Sequence, residues 1–202
     1  MTFISIKNLT IQFDELTVFD DFSKEFGKGL HWIKGPNGCG KSTFLKSLSG
    51  IISVEKGNVC LLGLDLHSQS LLAKSKICYV ADKPEVYPFM TGIQYLKMIA
   101  KIKKVDLNPE LYRWLDDFNL QAYQNIEFSQ MSFGTRRKIT LCACLIANPQ
   151  ILLLDEPFNG LDDKSAKSLK DWLLEVSEKK CILIASHGSY FKSNEYKSIL
   201  EL

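Results

Sequence analysis

Residues 35–43 (Gly35, Pro36, Asn37, Gly38, Cys39, Gly40, Lys41, Ser42 and Thr43) constrain this 202-residue chain more than any other stretch. Glycines at 35, 38 and 40 free the backbone to turn sharply, so that successive amide N–H groups can point into one concavity that holds an anion. An apolar segment at 30–34 precedes the loop. Phe44, Leu45 and Leu48 follow it at helical spacing, with Gly50 as the C-cap. A strand feeding a glycine loop that opens a helix is an α/β arrangement, with the helix N-terminus aimed at whatever the loop holds. The plainer alternative is a glycine-rich turn carrying a surface lysine.

The rest of the chain alternates in kind. Short strand patterns occupy 3–9, 10–13, 22–26, 30–34 and 58–62. Helical patterns then dominate. Thr91 caps 92–103, Asn108 followed by Pro109 opens another helix, and Ser132 caps a third through residue 147. Strand, helix and strand return at 151–154, about 164–178 and 181–185, with a last edge strand at 196–202. The unbroken apolar runs at 151–154 and 181–185 are those of strands covered on both faces. An α/β core with a helical insertion over about 84–145 is the expected organisation.

Two further motifs gain meaning beside the loop. The apolar run 151–154 ends in Asp155 and Glu156, delivering carboxylates to the C-terminal edge of the sheet, where ligands of α/β folds bind. Asp155 there suits a magnesium ion, and Glu156 suits a general base for an attacking water. Loop residues 35–43 fit G-x-x-x-x-G-K-[ST], in which Lys41 reaches the β- and γ-phosphates and the Ser42 hydroxyl takes a magnesium position. Met131, Ser132, Phe133, Gly134 and Thr135 form the third element, a serine N-cap with a glycine that leaves the first helical turn open to a phosphate.

Together these residues resemble the nucleotide-binding domain of ATP-binding cassette (ABC) ATPases over nearly the whole chain. Residues 35–43 match that family's Walker A motif, and 151–156 its Walker B motif with the catalytic glutamate. Ser132 and Gly134, 23 and 21 residues before Asp155, resemble the signature motif, while Asn159, Gly160, Leu161 and Asp162 are similar to the D-loop. His187 corresponds to the switch histidine, otherwise a satisfied polar residue at a strand end. Phe13 falls where the family places an aromatic against adenine. Phe19 is the fallback, and a core phenylalanine the alternative.

Three departures stand out: Asp82 where the family has glutamine, Phe133 and Thr135 in the signature, and Cys39 inside the loop. The resemblance implies a P-loop NTPase core with an N-terminal antiparallel β-subdomain and a helical subdomain. Residues 1–83 and 146–202 would form the ATP-binding lobe of a single domain. It also implies ATP and Mg2+ as ligands, with Ser42, Asp82 and Asp155 around the metal and Lys41, Glu156 and His187 catalytic. Two cassettes would stack head to tail, as a homodimer or a pseudo-dimer, so that Ser132, Gly134 and Asp162 meet the partner's nucleotide. A separate transmembrane permease would place the chain in the cytoplasm, on the inner face of the membrane.

Composition narrows the remaining classes. Lys plus Arg exceeds Asp plus Glu by 25 − 23 = +2, so no nucleic-acid partner is expected. Arg136, Arg137 and Lys138, like Lys101, Lys103 and Lys104, read as solvated helix faces. No apolar run approaches the ~20 residues needed to cross a bilayer, and no leader pattern opens the chain. Six cysteines without metal-ligand spacing read as reduced, packed thiols. A soluble non-transport ABC ATPase serving assembly, repair or translation is the second reading. A kinase or GTPase on the same loop, and a cassette that binds ATP without turnover, are weaker ones.

Overall fold

A computed structural model describes residues 1–202 except 14, 15, 55 and 108, and except the side chains of residues 13 and 16. The continuous apolar strands sit at its centre. β7 (Ile151–Asp155) and β8 (Cys181–Ser186) are buried at every position. They belong to a five-stranded parallel sheet of order β6-β7-β8-β3-β9, with β6 at Ile77–Val80, β3 at Gly29–Lys34 and β9 at Ser198–Glu201. Alternate residues serve two cores. Ile33, Ile151, Leu153, Leu183 and Ala185 pack with Phe44, Leu45 and Leu48 of α1 (Lys41–Ser49), whereas Trp32, Leu152, Leu154, Ile182 and Ile184 face the opposite cluster. Both faces are covered, so alternation of apolar and polar residues vanishes from these strands.

The antiparallel pairings form a second sheet of order β2-β1-β4-β5, made by β1 (Thr2–Phe13), β2 (Leu16–Gly27), β4 (Lys56–Leu61) and β5 (Leu64–Asp65). The two sequence segments 3–9 and 10–13 are one strand. Asn8 adopts φ 51° and the register with β2 shifts between Ile6 and Leu9, a bulge that interrupts the alternation. Short α2 (Ser70–Ser75) carries no apolar stripe, because Leu71 and Leu72 face solvent and only Ala73 is buried.

Between β6 and β7 run α3 (Gly92–Lys103), α4 (Pro109–Asp117) and α5 (Phe133–Ile146). Thr91 caps α3 in a capping box with Gln94. Residue 108, the expected cap of α4, lies outside the described residues. α6 (Asp163–Ser177) follows β7 and places Leu169 and Leu173 in the core. No described helix is long and apolar enough to cross a membrane.

Candidate nucleotide-binding site

The loop after β3 opens α1 without a side-chain cap, since its N-cap is Gly40 at φ 103°. The helix's first amides are therefore left for a ligand. Glycine is required sterically at both ends of the loop. A Cβ on Gly35 would stand 2.5 Å from Cys39 Sγ and 2.8 Å from the Leu202 carbonyl oxygen, and one on Gly40 would stand 2.6 Å from Val18 Cγ1. Lys41 is buried, and its Nζ donates to the carbonyls of Gly35 at 2.7 Å and Pro36 at 2.8 Å. An ammonium has three donors, so one remains for a ligand inside the curl of the loop.

Ser42 brings this loop beside the neighbouring strand. Its hydroxyl lies near the carboxylate of Asp155 at the end of β7 and favours the ionised form, and Tyr79 Oη donates to Asp155 Oδ2 at 3.4 Å. Burial raises the Asp155 pKa, the nearby Ser42 hydroxyl opposes that rise, and the charges of Asp82 and Glu156 add to it. Burial also pushes the Tyr79 hydroxyl up, with Asp155 adding to the shift. The carboxylates of Asp82 and Glu156 thus lie close enough to Asp155 for their charges to act on it. Hard oxygen donors, carboxylates above all, are what a magnesium ion takes, so Ser42, Asp155 and Asp82 fit that ion by residue type. Among the described residues, no cluster of three or more His, Cys, Asp or Glu has metal-ligating geometry by itself, consistent with an ion that keeps waters and phosphate oxygens as ligands.

Glu156 lies one residue beyond the strand, in left-handed backbone at φ 47°. Its amide donates to Ala185 O at 2.8 Å. Oε1 accepts the His187 backbone N–H at 3.0 Å and lies 3.0 Å from His187 Nδ1, while buried Oε2 has no partner. The imidazole is half-exposed at 58%, leaving the far side of the ring accessible. Asp82 Oδ1 accepts from Asn159 Nδ2 at 3.1 Å and lies 3.6 Å from Arg137 Nη1.

The remaining predicted residues lie around the start of α5 and α6. Ser132 Oγ accepts the Thr135 amide at 3.1 Å. Gly134 presses on the Gly160 carbonyl so closely that no Cβ fits. Asp162 caps α6 through the Ser165 amide at 2.9 Å and Ser165 Oγ at 3.0 Å, and pairs with Lys138. The Lys138 contact and then the Ser165 amide draw the Asp162 pKa down to about 2. Among the described residues, no hydrogen bond or ion pair joins Ser132, Gly134 or Asp162 to residues 35–43. Phe13 ends β1, and its side chain lies outside the described residues. Phe19, the fallback for a base, is a core residue packed on Phe44 at a ring separation of 5.4 Å.

One expectation is overturned. Arg137 and Lys138 are not on a solvated face: Arg137 is wholly buried, and the Lys138 side chain is 12% exposed. Their charge on what reads as the polar side of a helix put them outside. The spacing to Ile139, Leu141 and Cys142, all buried, shows α5 to be enclosed nearly all round and carried the missed signal.

A phosphate-binding loop with a carboxylate strand beside it defines a nucleotide-hydrolysing class of α/β protein. A family model described as ABC transporter matches residues 20–159. The chain is 30% identical over 186 residues to YybJ of Bacillus subtilis, an uncharacterized ABC transporter ATP-binding protein, covering 91% of this chain and 85% of that one. It is 28% identical to a second such protein of that organism, YhcH, of which it spans only 62%. A solved structure of an ATP-binding subunit of an ABC transporter superposes with a TM-score of 0.88 at 22% identity, covering 99% of this chain and 85% of the other. The chain belongs to the ABC transporter family, and its fold is that of the family's ATP-binding cassettes.

Proposed function

We propose that this chain is the ATP-hydrolysing subunit of an ABC transporter and binds MgATP between residues 35–43 and the carboxylates at 155–156. The observation that carries the reading is the packing of α1, which opens at the Lys41 loop, against β7, the strand that ends in Asp155. It brings the anion-binding loop and the carboxylate strand to one point, although they are far apart in sequence.

The residues divide the work by chemistry. Amides of Gly38, Cys39, Gly40, Lys41, Ser42 and Thr43 receive phosphate oxygens at the α1 N-terminus, and Lys41 adds a charge-assisted donor. Gly35, Pro36 and Asn37 complete the turn that shapes the cradle. Ser42, Asp155 and Asp82 would hold the magnesium ion, which neutralises charge on the β- and γ-phosphates when bound. Glu156 orients a water through its unpartnered Oε2 and takes its proton as the water oxygen attacks the γ-phosphorus. The bond to the β,γ-bridging oxygen then breaks and ADP leaves. His187 holds Glu156 through Nδ1 and contacts the γ-phosphate with the rest of its ring. Phe13 supplies the adenine platform.

Residues 1–83 and 146–202 form the nucleotide lobe in this reading, and 84–145 the helical one. Among the described residues, Ser132 and Gly134 make no hydrogen bond or ion pair with residues 35–43, which supports their use by the nucleotide of a second, head-to-tail cassette, as does the position of Asp162 at an exposed turn. A separate membrane-spanning subunit receives the closing motion and holds the chain at the cytoplasmic face. Calorimetry with MgATP tests the reading. Micromolar binding by the wild type that Lys41→Ala abolishes, with phosphate release by the wild type, is the expected result. Equal binding by both proteins would refute it.

A further inference from the structure

Arg137 belongs to α5, yet its guanidinium reaches two other segments. Nη1 donates to the carbonyls of Ala81 at 3.3 Å and Asp82, beside the Asp82 carboxylate. Nη2 donates to the carbonyls of Asp155 at 2.6 Å and Glu156. Four main-chain oxygens of two segments converge on the planar fork of one wholly buried side chain. Lysine, whose donors radiate from one nitrogen, cannot reproduce that span.

The contacts close into a circuit. Asp82 Oδ1 accepts from Asn159 Nδ2 at 3.1 Å, and the Asn159 amide donates to Glu156 O at 3.1 Å. That oxygen is also held by Arg137, whose other terminal nitrogen returns to Asp82. Glu156 occupies a backbone region that a non-glycine residue keeps only when its surroundings over-determine it. Its carbonyl is fixed from the Arg137 side, and its amide and carboxylate from β8 and His187. The aspartate at position 82 also acquires a physical reason, as the acidic partner of a buried cation.

We propose that Arg137 is a positioning residue for hydrolysis: through this circuit it fixes the Glu156 carboxylate and makes that position depend on the loop that begins at Asp82. The inference rests on the reading of Glu156 as the base. Because a shift of about 1 Å in a catalytic group costs on the order of 10²-fold in rate, loss of the fork should lower kcat and leave nucleotide affinity alone.

The test uses the full chain as wild type, Arg137→Gln, Arg137→Lys and Arg137→Ala, read by steady-state ATP hydrolysis and by hydrogen exchange. Both Arg137→Gln and Arg137→Lys should lose about 10²-fold in kcat with the ATP KM within about threefold. Exchange should quicken at 82–84 and 156–159 while α1 and β3 stay protected. Millimolar guanidinium, and not methylammonium, should restore part of the Arg137→Ala rate. Variants with wild-type kcat, or faster exchange spread evenly over the chain with no guanidinium rescue, would overturn the proposal. A wild type that binds MgATP without hydrolysing it would instead refute the role of Glu156, so the two failures are told apart.

Discussion

His187 holds one oxygen of Glu156 twice, by its backbone N–H and by Nδ1, each at 3.0 Å, while the second oxygen stays buried and unpartnered. One oxygen therefore anchors the carboxylate and the other is left for a water. Glu156→Gln keeps an acceptor for the backbone N–H and removes the basic oxygen. MgATP binding should survive and hydrolysis should fall ~10²–10⁴-fold, the range for loss of a general base. Rapid-quench measurement of phosphate formation checks this, and unchanged turnover would remove Glu156 from the role.

His187→Ala removes the ring and keeps the backbone N–H bond to Oε1. Glu156 then stays near its place with one restraint fewer, so the loss in kcat should be smaller than for Glu156→Gln. The comparison is made on the same phosphate-release assay. A larger loss in His187→Ala would make the histidine, rather than the glutamate, the main catalytic group.

Asp162 gives a pH-dependent contribution to stability. Its folded pKa of about 2 lies below the ordinary 3.8, so the ionised carboxylate favours the native state. That stabilisation is complete above about pH 4 and fades as pH falls from there towards 2. Asp162→Ala also removes the α6 cap, worth ~0.5–2 kcal/mol, and should lower the Tm at pH 7 by about 2–6 °C. The gap between variant and wild type should narrow below pH 4 in calorimetric scans. A gap that widened there would contradict the assigned contacts.

Residues whose role is set by local backbone chemistry were legible in the sequence. The glycine loop, the caps Thr91 and Ser132, and the buried strands read at 151–154 and 181–185 declare themselves by turn chemistry and periodicity, and they fall where the patterns put them. Roles set by partners distant in sequence were not legible. Arg137 looks like its neighbour Arg136 until Ala81, Asp82, Asp155 and Glu156 surround it, and no local pattern reports that convergence. For Phe19 the sequence offers both a base-stacking aromatic and a core phenylalanine, and its packing on Phe22 and Phe44 shows it to be core. The separate antiparallel β-subdomain was expected from the family resemblance alone and not from the strand patterns, because pairing is non-local.

Gly134→Ala addresses the packing of the α5 start on the turn after β7. The new Cβ would collide with the Gly160 carbonyl oxygen, a backbone atom with no rotamer to yield. Overpacking of this kind costs roughly 1–3 kcal/mol. Denaturant titration should show a lower midpoint with an unchanged slope, and MgATP affinity of the isolated chain should be retained because Gly134 makes no hydrogen bond to residues 35–43 among the described residues. A stable variant that loses nucleotide binding would place Gly134 in its own chain's site instead.

Cys39 offers a probe of the loop that does not depend on turnover. It is one of three partly accessible cysteines, with Cys60 and Cys78, whereas Cys142, Cys144 and Cys181 are buried. Burial also raises the thiol pKa of Cys142 and Cys181, so little reactive thiolate forms there. A brief alkylation of the native chain should therefore label Cys39, Cys60 and Cys78 and spare the other three, read by peptide mass spectrometry. Phosphates seated on the amides of 38–43 would cover Cys39 and leave Cys60 unaffected. MgATP should slow labelling at Cys39 at least ~10-fold, as a ligand held well above its Kd occupies nearly every site. Equal labelling of Cys39 with and without nucleotide would mean that the triphosphate binds elsewhere.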